Sequence, residues 1–211
     1  MPTERGLFVT GTDTGVGKTW VACRLLRRLA ARGLPLQVRK PVESGCRRTA
    51  DGLLAADALA LRTAADSTEP LAAVCPYRYA AAASPPRAAA LAGTTLSLAQ
   101  LVEASRPQAG HWLLVEGAGG FCSPIAADGL NADLAMALGL PLLLVAPDRL
   151  GVVNQVLLTL EAAERRGLTV AAVFLNAIGP PPPLLDNAGE LRRWSRVPVV
   201  TDIPALVERV V

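Results

Sequence analysis

The sequence has little histidine and little excess charge, and each shortage excludes a class of function. His111 is the only histidine among the 211 residues, so a metal site built from several histidines is excluded. The net charge of +3 is too small to indicate binding to nucleic acid or to an anionic membrane unless the basic residues cluster. We therefore expect no nucleic acid and no membrane among the partners of this chain.

Long apolar runs and paired cysteines are also missing. The apolar stretch 138–147 is far shorter than the roughly 20 residues that a membrane-spanning helix needs, and Pro141 interrupts it. No apolar leader precedes the first predicted strand, so we expect a cytoplasmic protein. The 4 cysteines lie far apart and form no Cys-x-x-Cys pair, which predicts reduced and mostly buried thiols.

The abundant residues predict a compact α/β protein. Hydrophobic residues make up 51% of the chain and charged residues only 18%, which is typical of a globular protein with a substantial core. Almost continuously apolar segments predict strands, and between them apolar residues recur at helical spacing. The predicted strands are 5–10, 36–40, 112–116, 141–146, 169–175 and 197–200. The predicted helices are 18–32, 53–63, 97–105, 131–138, 151–166 and 186–195.

Strands that alternate with helices indicate a doubly wound, mostly parallel sheet with helices on both faces, and we expect residues 1–211 to form a single domain. Between these elements we expect a polar loop at 41–52, an irregular segment at 66–95, a stiff linker at the four prolines 180–183 and a turn at the C-terminus. In such a sheet, ligands bind beyond the carboxyl ends of the strands. The candidate functional residues all follow strands, so we expect them to converge there.

The first predicted strand runs into a glycine-rich turn, Gly11-Thr-Asp-Thr-Gly-Val-Gly-Lys-Thr19, and then into a helix. Backbone N–H groups of such a turn point at a phosphate, Lys18 adds a positive charge, and Thr19 offers its hydroxyl to Mg2+. The strict motif has its first glycine where this chain has Thr12, so the loop is one residue longer. Glycine-rich turns also occur in proteins that bind no phosphate, but Gly-Lys-Thr favours a P-loop NTPase-type nucleotide-binding domain.

Lysine occurs at two positions only, and both lie in candidate motifs. Lys18 belongs to the glycine-rich turn, Lys40 ends a predicted strand, and every other basic residue is Arg. A compact ammonium on a flexible stem can enter a phosphate pocket that a planar guanidinium would overfill. Ser44 follows Lys40 in Lys-Pro-Val-Glu-Ser-Gly, so this segment fits a second anion pocket, although a plain strand-to-loop turn fits it equally well.

Two acidic residues are candidate ligands of a divalent cation. Glu116 ends an apolar strand and is followed by Gly117-Ala-Gly-Gly120, where a glycine backbone allows a ligand to approach closely. A carboxylate at a strand end that faces a phosphate loop is suited to Mg2+, directly or through water. Asp57 is the only acid between Leu53 and Leu61. Its spacing alone is compatible both with a ligand and with a side chain that faces solvent.

Four motifs in a fixed order make the pattern specific. They are Gly-Thr-Asp-Thr-Gly-Val-Gly-Lys-Thr at 11–19, Lys-Pro-Val-Glu-Ser-Gly at 40–45, Ala-Asp-Ala-Leu-Ala-Leu at 56–61 and Val-Glu-Gly-Ala-Gly-Gly at 115–120. Further matches are Cys75-Pro-Tyr, Ser84-Pro85, Leu150-Gly-Val-Val-Asn154 and Ile203-Pro204. In this combination the chain resembles the dethiobiotin synthetases, the ATP-dependent ring-closing enzymes of biotin synthesis, over nearly its whole length.

The resemblance implies a reaction among 7,8-diaminononanoate, CO2 and ATP, with ATP as a co-substrate and Mg2+ as the cofactor. One amine takes up CO2 as a carbamate, and the γ-phosphoryl group of ATP is transferred to that carbamate to give a carbamic-phosphoric mixed anhydride. The second amine then closes the ureido ring, and phosphate and ADP are released. Because no covalent enzyme intermediate is expected, catalysis would consist of alignment and charge neutralisation.

The resemblance also implies roles for individual residues. The catalytic residues would be Lys18, on the β- and γ-phosphates, and Lys40, on the carbamate and γ-phosphoryl oxygens. Mg2+ would be held by Thr19, Asp57 and Glu116. ATP would be bound by Thr14, Gly15, Val16, Gly17, Lys18, Thr19, Glu116 and Asn176, of which Asn176 would read adenine. The substrate would be bound by Thr14, Lys40, Ser44 and, from the partner subunit of a homodimer, by Gly151, Val152, Val153 and Asn154.

Three other kinds of protein share the nucleotide-binding turn. A partition-type ATPase usually carries a lysine early in the phosphate loop, where this chain has Gly11-Thr-Asp-Thr14. A cobyrinate-type amidating synthetase needs a glutaminase domain with a Cys-His pair, for which a chain of 211 residues with one histidine has no room. A nucleotide-binding module without enzymatic activity would not require Lys40 and Ser44.

Overall fold

A central sheet of parallel strands organises the fold. The computed structural model describes residues 6–179 and 184–210. The strands are β1 (Gly6–Gly11), β2 (Leu36–Arg39), β3 (Val42–Ser44), β4 (Arg47–Thr49), β5 (Gly52–Leu54), β6 (Tyr77–Tyr79), β7 (Trp112–Glu116), β8 (Pro124–Ala126), β9 (Gly129–Leu130), β10 (Leu142–Pro147), β11 (Val170–Asn176) and β12 (Val199–Val200). The helices are α1 (Lys18–Ala31), α2 (Ala56–Ala64), α3 (Leu71–Val74), α4 (Pro85–Leu91), α5 (Leu98–Ala104), α6 (Asn131–Leu138), α7 (Val152–Glu164), α8 (Asn187–Trp194) and α9 (Ile203–Val210).

The main sheet has the strand order β12-β11-β10-β1-β7-β2, and all its neighbouring strands pair in parallel. Parallel neighbours need crossover connections, and here helices cover the sheet as they cross. Because β1 lies between β10 and β7, the turn after β1 sits at the centre of the carboxyl edge. The prediction of a doubly wound, mostly parallel sheet with helices on both faces is confirmed.

Successive strand residues supply opposite faces of the sheet, since side chains alternate along a strand. Leu7 and Val9 pack with Leu25 of α1 in one core, whereas Phe8 packs with Leu134 of α6 in a second core on the other face. A third core lies between β10, β11, α7 and α8. This burial on both faces explains why the strands are almost continuously apolar. None of the helices among the described residues is long and apolar enough to cross a membrane.

Two segments that were predicted to be irregular contain short elements. The predicted loop 41–52 holds β3, which pairs in parallel with β6, and an antiparallel hairpin of β4 and β5. The predicted irregular segment 66–95 contains α3, β6 and α4. Strands of three residues are too short to show an alternating pattern, so only their long-range pairing reveals them. Helix α2 begins at Ala56 and not at residue 53, because Leu53 and Leu54 pair with β4 in the hairpin.

The C-terminal segment is a helix, α9, and not the predicted turn. It buries Leu206 and Val207 in the core that contains α1, and Asp202 accepts a hydrogen bond from the Ala205 N–H at 2.8 Å at its first turn. An acidic residue just before a helix start is the signal that would have predicted it. The predicted proline linker 180–183 lies outside the described residues.

The prediction of mostly buried thiols is confirmed. Cys23, Cys46 and Cys75 are buried, and Cys122 is exposed; all four are free. Burial raises the pKa of the Cys23 thiol to about 11, so this group is an uncharged part of the core at neutral pH. The cytoplasmic location stays a prediction.

One buried amide fixes the glycine-rich segment that follows β7. The Asn131 Oδ1 atom accepts a hydrogen bond from the Ala118 N–H at 2.9 Å, and its Nδ2 donates to the carbonyls of Ala118, Gly120 and Ser123 at 2.7, 3.2 and 3.0 Å. The Asn131 side chain has no solvent exposure. Because this buried side chain bonds three residues of the segment, Asn131 of α6 holds the course of the chain directly after Glu116.

We expect Asn131→Ala to lower the free energy of unfolding by about 3 kcal/mol, because it removes four hydrogen bonds and leaves the buried Gly120 carbonyl without this partner. Urea unfolding of the full chain measures this change. The matched control is Asn154→Ala, which removes the same side chain from an exposed position on α7 and should leave the unfolding midpoint unchanged. Equal midpoints for the two variants would contradict this role of Asn131.

Candidate active site

The turn between β1 and α1 is held in a conformation that favours glycine. Gly15 and Gly17 have φ angles of 75° and 88°, in the left-handed region. A Cβ atom on Gly17 would collide with the Asn176 side-chain amide at the end of β11. That amide donates a hydrogen bond to the Val16 carbonyl at 2.9 Å. The loop is therefore fixed both by the backbone conformation of its glycines and by the hydrogen bond from Asn176. Its N–H groups are in this way positioned for an anion before the anion binds.

Lys18 is buried at the start of α1, although lysines are rarely buried without a carboxylate partner. Its Nζ donates to the Asp13 carbonyl at 3.0 Å, within its own loop. Burial and the nearby Lys40 ammonium lower the pKa of Lys18 to about 8. An anion such as a phosphate beside Lys18 would offset both effects and favour its protonated form.

Lys40 and Glu116 form an ion pair below this loop. The Lys40 Nζ donates to Glu116 Oε1 at 2.6 Å and to the Gly117 carbonyl at 3.3 Å, and it lies 3.2 Å from Asp57 Oδ2. The pair forms because β2 and β7 are neighbours, which places the residues at their carboxyl ends side by side. Burial favours the neutral amine, but the Glu116 and Asp57 carboxylates outweigh it and raise the pKa of Lys40 above its ordinary value.

Thr19 and Glu116 provide a place for a divalent cation. The Thr19 hydroxyl donates to Glu116 Oε1 at 2.7 Å. The other carboxylate oxygen, Oε2, is buried and has no hydrogen-bond partner among the described residues. Within that same part of the chain, no group of three or more His, Cys, Asp or Glu side chains is placed to hold a metal. A cation here would therefore take some ligands from water or from phosphate, which is how Mg2+ is commonly bound.

These residues share a cavity of about 350 Å³ at the carboxyl edge of the sheet. It is lined by Thr14, Gly15, Gly17, Lys18, Thr19, Lys40, Glu43, Ser44, Asp57, Glu116, Ala118 and Gly119. The sequence-predicted residues that follow β1, β2 and β7 are thus brought together, as expected. The Ser44 hydroxyl donates to the Ala83 carbonyl at 2.7 Å, so it would have to reorient to contact a substrate through its proton.

A second cavity, of about 260 Å³, lies on the other side of the glycine-rich turn. It is lined by Asp13, Thr14, Gly15, Val16, Pro147, Asp148, Arg149 and Ile178. Thr14 and Gly15 therefore face both cavities, which places the turn between them. The Asn176 side-chain amide already donates a hydrogen bond to the Val16 carbonyl. In its predicted role with adenine, the same amide would also have to form a hydrogen bond to the base.

The predicted substrate-binding segment lies elsewhere. Gly151, with a φ angle of 88°, precedes the first turn of α7, and both it and Asn154 are exposed. In the described part of a single chain, residues 151–154 do not line the cavity that contains Lys40. The role of residues 151–154 in substrate binding therefore stays a prediction.

Glu43 is a cavity residue that the sequence did not single out. It lies on β3, is 8% exposed, and accepts hydrogen bonds from the N–H groups of Asp57 and Ala58 at 3.2 and 3.0 Å. Burial raises the pKa of its carboxyl group. A glutamate inside a predicted polar loop carries no sign that its partners lie fourteen residues later at a helix start, so the pairing could not be foreseen.

The cavity can bring a polyphosphate, a divalent cation and a second anion into contact. The glycine-rich turn and Lys18 form the phosphate end, and Thr19 with Glu116 lies beside it. Lys40, held by two carboxylates, presents an ammonium group deeper in the same space. An arrangement of this kind favours phosphoryl transfer by positioning and by neutralising charge, without a nucleophile from the protein.

The comparisons with known proteins agree with this geometry. The model of a family described as "AAA domain" matches residues 5–208. Among solved structures, chloroplast FtsY from Physcomitrella patens is similar with a TM-score of 0.50 and 16% identity, covering 100% of this chain and 66% of that chain. A likeness at this level of identity supports the fold, a P-loop nucleotide-binding domain with a mostly parallel sheet.

Closer relatives are found among the curated proteins. An ATP-dependent dethiobiotin synthetase, BioD, of Anaeromyxobacter dehalogenans is 51% identical over 193 residues, which cover 90% of this chain and 85% of the relative. The protein of the same name from Rhodopirellula baltica is 40% identical, covering 93% of this chain and 82% of the relative. Identity at this level over most of both chains, together with the glycine-rich turn, Lys40 and Glu116 in one cavity, shows that the chain belongs to the family of ATP-dependent dethiobiotin synthetases.

Proposed function

We propose that this protein catalyses the ATP-dependent carboxylation and ring closure of 7,8-diaminononanoate with CO2, to form dethiobiotin, ADP and phosphate. The first amine attacks CO2 and loses a proton, which gives a carbamate. A carbamate oxygen attacks the γ-phosphorus of ATP, and ADP leaves. The second amine then attacks the carbonyl carbon of the mixed anhydride and loses its proton, phosphate leaves, and the ureido ring closes.

The observation that carries this proposal is that both lysines of the chain line one cavity. Lys18 would bind the β- and γ-phosphates, because it lies in the glycine-rich turn and lacks a carboxylate partner of its own among the contacts of the described residues. Lys40 would bind the carbamate and the γ-phosphoryl oxygens, since its ammonium is kept protonated by Glu116 and Asp57. Two fixed positive charges on either side of the transferred group stabilise the charge that develops there.

We propose Mg2+ as the cofactor, held by Thr19, Asp57 and Glu116. Two observations support this proposal. All three side chains offer oxygen atoms, which are the ligands that Mg2+ prefers. The buried Glu116 Oε2 atom also lacks a hydrogen-bond partner in the described residues. When bound, Mg2+ would neutralise charge on the phosphate oxygens. Lys40 would then exchange part of its contact with Glu116 for the anions of the substrates.

We further propose a homodimer in which residues 151–154 of one chain complete the cavity of the other. The N-terminus of α7, with Gly151 in the left-handed region and an exposed Asn154, offers N–H groups and an amide to the substrate carboxylate. Leu150 directly precedes α7, and Leu158 lies four residues after Asn154 and thus on the same face of that helix; both are exposed and provide apolar surface that a second chain could cover. Thr14 and Ser44 would contact the substrate from within the cavity.

The function is tested by incubating the purified protein with ATP, Mg2+, diaminononanoate and bicarbonate. We expect mass spectrometry to detect dethiobiotin, and we expect phosphate release to require both diaminononanoate and bicarbonate. A regulatory ATPase would release phosphate without either compound. Phosphate release that is independent of both, with no dethiobiotin, would contradict the proposal.

The two lysines supply a matched pair of variants for this assay. Lys40→Gln should reduce dethiobiotin formation by at least about 100-fold and leave ATP binding largely intact, because it removes a charge that acts on the transferred group. Lys18→Gln should weaken ATP binding itself. Isothermal titration with ATP separates the two effects. Weakened ATP binding in Lys40→Gln with a normal kcat at saturating ATP would reverse these assignments.

Asn154→Ala should raise the KM for diaminononanoate about tenfold without changing the KM for ATP, because it removes a hydrogen bond to a charged carboxylate. Steady-state kinetics with each substrate varied in turn measures both constants. An unchanged KM for diaminononanoate would remove Asn154 from the substrate site.

Mixing the two variants tests the shared site. A mixed dimer of Lys40→Gln and Asn154→Ala chains contains one site with both native residues if Asn154 acts in the cavity of its partner. Turnover at low diaminononanoate concentration should then exceed that of either variant alone after subunit exchange. A mixture that is no more active than the average of its components would show that Asn154 does not act across subunits.

A further inference from the structure

Glu43 reaches from β3 to the start of helix α2. Its Oε1 accepts a hydrogen bond from the Asp57 N–H at 3.2 Å, and its Oε2 accepts one from the Ala58 N–H at 3.0 Å. The carboxylate is thus divided between two successive amides of the helix. Neither amide has a partner within α2, since the first N–H groups of a helix point away from its own carbonyls.

The position that normally caps a helix cannot do so here. Ala55 precedes α2 with extended backbone angles (φ −84°, ψ 99°), which is the conformation of a capping residue, but its methyl group accepts no hydrogen bond. Glu43 supplies the missing oxygens from a distant part of the chain. Its negative charge also lies at the positive end of the helix dipole, which adds to the attraction.

Glu43 is itself firmly placed. It is 8% exposed, and β3 pairs with β6 in a register that sets Glu43 opposite Arg78. The helix start is therefore anchored to a small sheet and not to the flexible end of a surface side chain. Asp57 is the second residue of this helix, so its backbone is located directly by Glu43.

The position of the Asp57 backbone matters because its side chain is half exposed. The Asp57 carboxylate is 47% exposed at the side chain and lies 3.2 Å from the Lys40 Nζ. A half-exposed carboxylate keeps a defined distance from its partner only if its backbone is held. The contact between Asp57 and Lys40 thus depends on the first turn of α2.

We propose that Glu43 is a positioning residue, which fixes the first turn of α2 and thereby sets Asp57 against Lys40 and the cation site. The inference rests on the proposed function for the roles of Asp57 and Lys40. Glu43 also lines the cavity beside Ser44, so a direct contact with the substrate is the competing explanation. The two amide hydrogen bonds favour positioning, because both carboxylate oxygens are already engaged.

The first test uses the ligand-free full chain and the isosteric variant Glu43→Gln, which keeps only one carbonyl oxygen for the two amides. We expect the Asp57 and Ala58 amides to exchange hydrogen about fivefold faster, as measured by NMR, and the melting temperature to fall by about 3 °C. Unchanged exchange of these amides would overturn the proposal.

The second test measures turnover of the same variant. We expect the free Mg2+ concentration for half-maximal dethiobiotin formation to rise about tenfold, as for other residues that orient metal ligands, while the KM for ATP measured at saturating Mg2+ stays unchanged. A merely structural residue would change the amount of folded protein and not the Mg2+ dependence. An unchanged Mg2+ dependence would therefore overturn the positioning role.

A local cap separates positioning from direct contact. Ala55 is fully buried, so we use only the smallest capping substitution, Ala55→Ser, which places a hydroxyl oxygen where it can bond the same amides. Combined with Glu43→Gln, this cap should restore the slow exchange of the Asp57 and Ala58 amides and the native Mg2+ dependence together. Ala55→Ser alone, in the presence of Glu43, should leave the turnover of the folded protein unchanged.

Restored exchange with turnover that remains low would overturn the proposal and assign Glu43 a direct contact with the substrate. The hydrogen-exchange measurement does not depend on the reaction. If the native protein forms no dethiobiotin, the proposed function is wrong. The exchange rates of the Asp57 and Ala58 amides would still show whether Glu43 fixes the first turn of α2.

Discussion

The ion pair between Lys40 and Glu116 is the interaction on which the rest of the site depends. Both side chains are buried, at 4% and 1% residue exposure, and their atoms lie 2.6 Å apart. The free energy lost when two charges are removed from water usually exceeds the free energy gained from their attraction. A pair of apolar side chains at these positions would therefore stabilise the fold at least as well. We therefore interpret the pair through the proposed function, in which Lys40 is a charged lysine that binds an anion of the substrates. Glu116 also leaves one oxygen without a partner among the described residues, which a cation can use.

The topology of the sheet creates this arrangement from residues that are distant in sequence. The strand order places β1 beside β7 and β7 beside β2, so the glycine-rich turn, Glu116 and Lys40 meet at one edge. The surrounding contacts then restrict each group: Asn176 supports the turn through Val16, and Asn131 holds the chain after Glu116. Rigid support of this kind is what catalysis by alignment requires, because reacting groups must be held to within a fraction of an ångström.

Those features that follow from local chemistry could be predicted from the sequence. The strands are continuously apolar, the turn has glycines where φ is positive, and the lysines stand out in a chain whose other basic residues are Arg. Their convergence followed from the rule that parallel strands present ligands at their carboxyl ends. The pairing of β3 with β6 and the cap that Glu43 provides for α2 could not be predicted, because neither three-residue strands nor a glutamate from a remote loop leaves a periodic or local signal.

The central claim is that Lys40 is held by Glu116 until the substrates arrive and then acts on the transferred phosphoryl group. A crystal structure with Mg2+, a non-hydrolysable ATP analogue and diaminononanoate tests it most directly. The account predicts the Lys40 Nζ about 3 Å from an oxygen of the terminal phosphate, and a cation between Glu116 and the phosphates. A complex in which Lys40 still contacts only Glu116 and Gly117, with the terminal phosphate elsewhere, would contradict it.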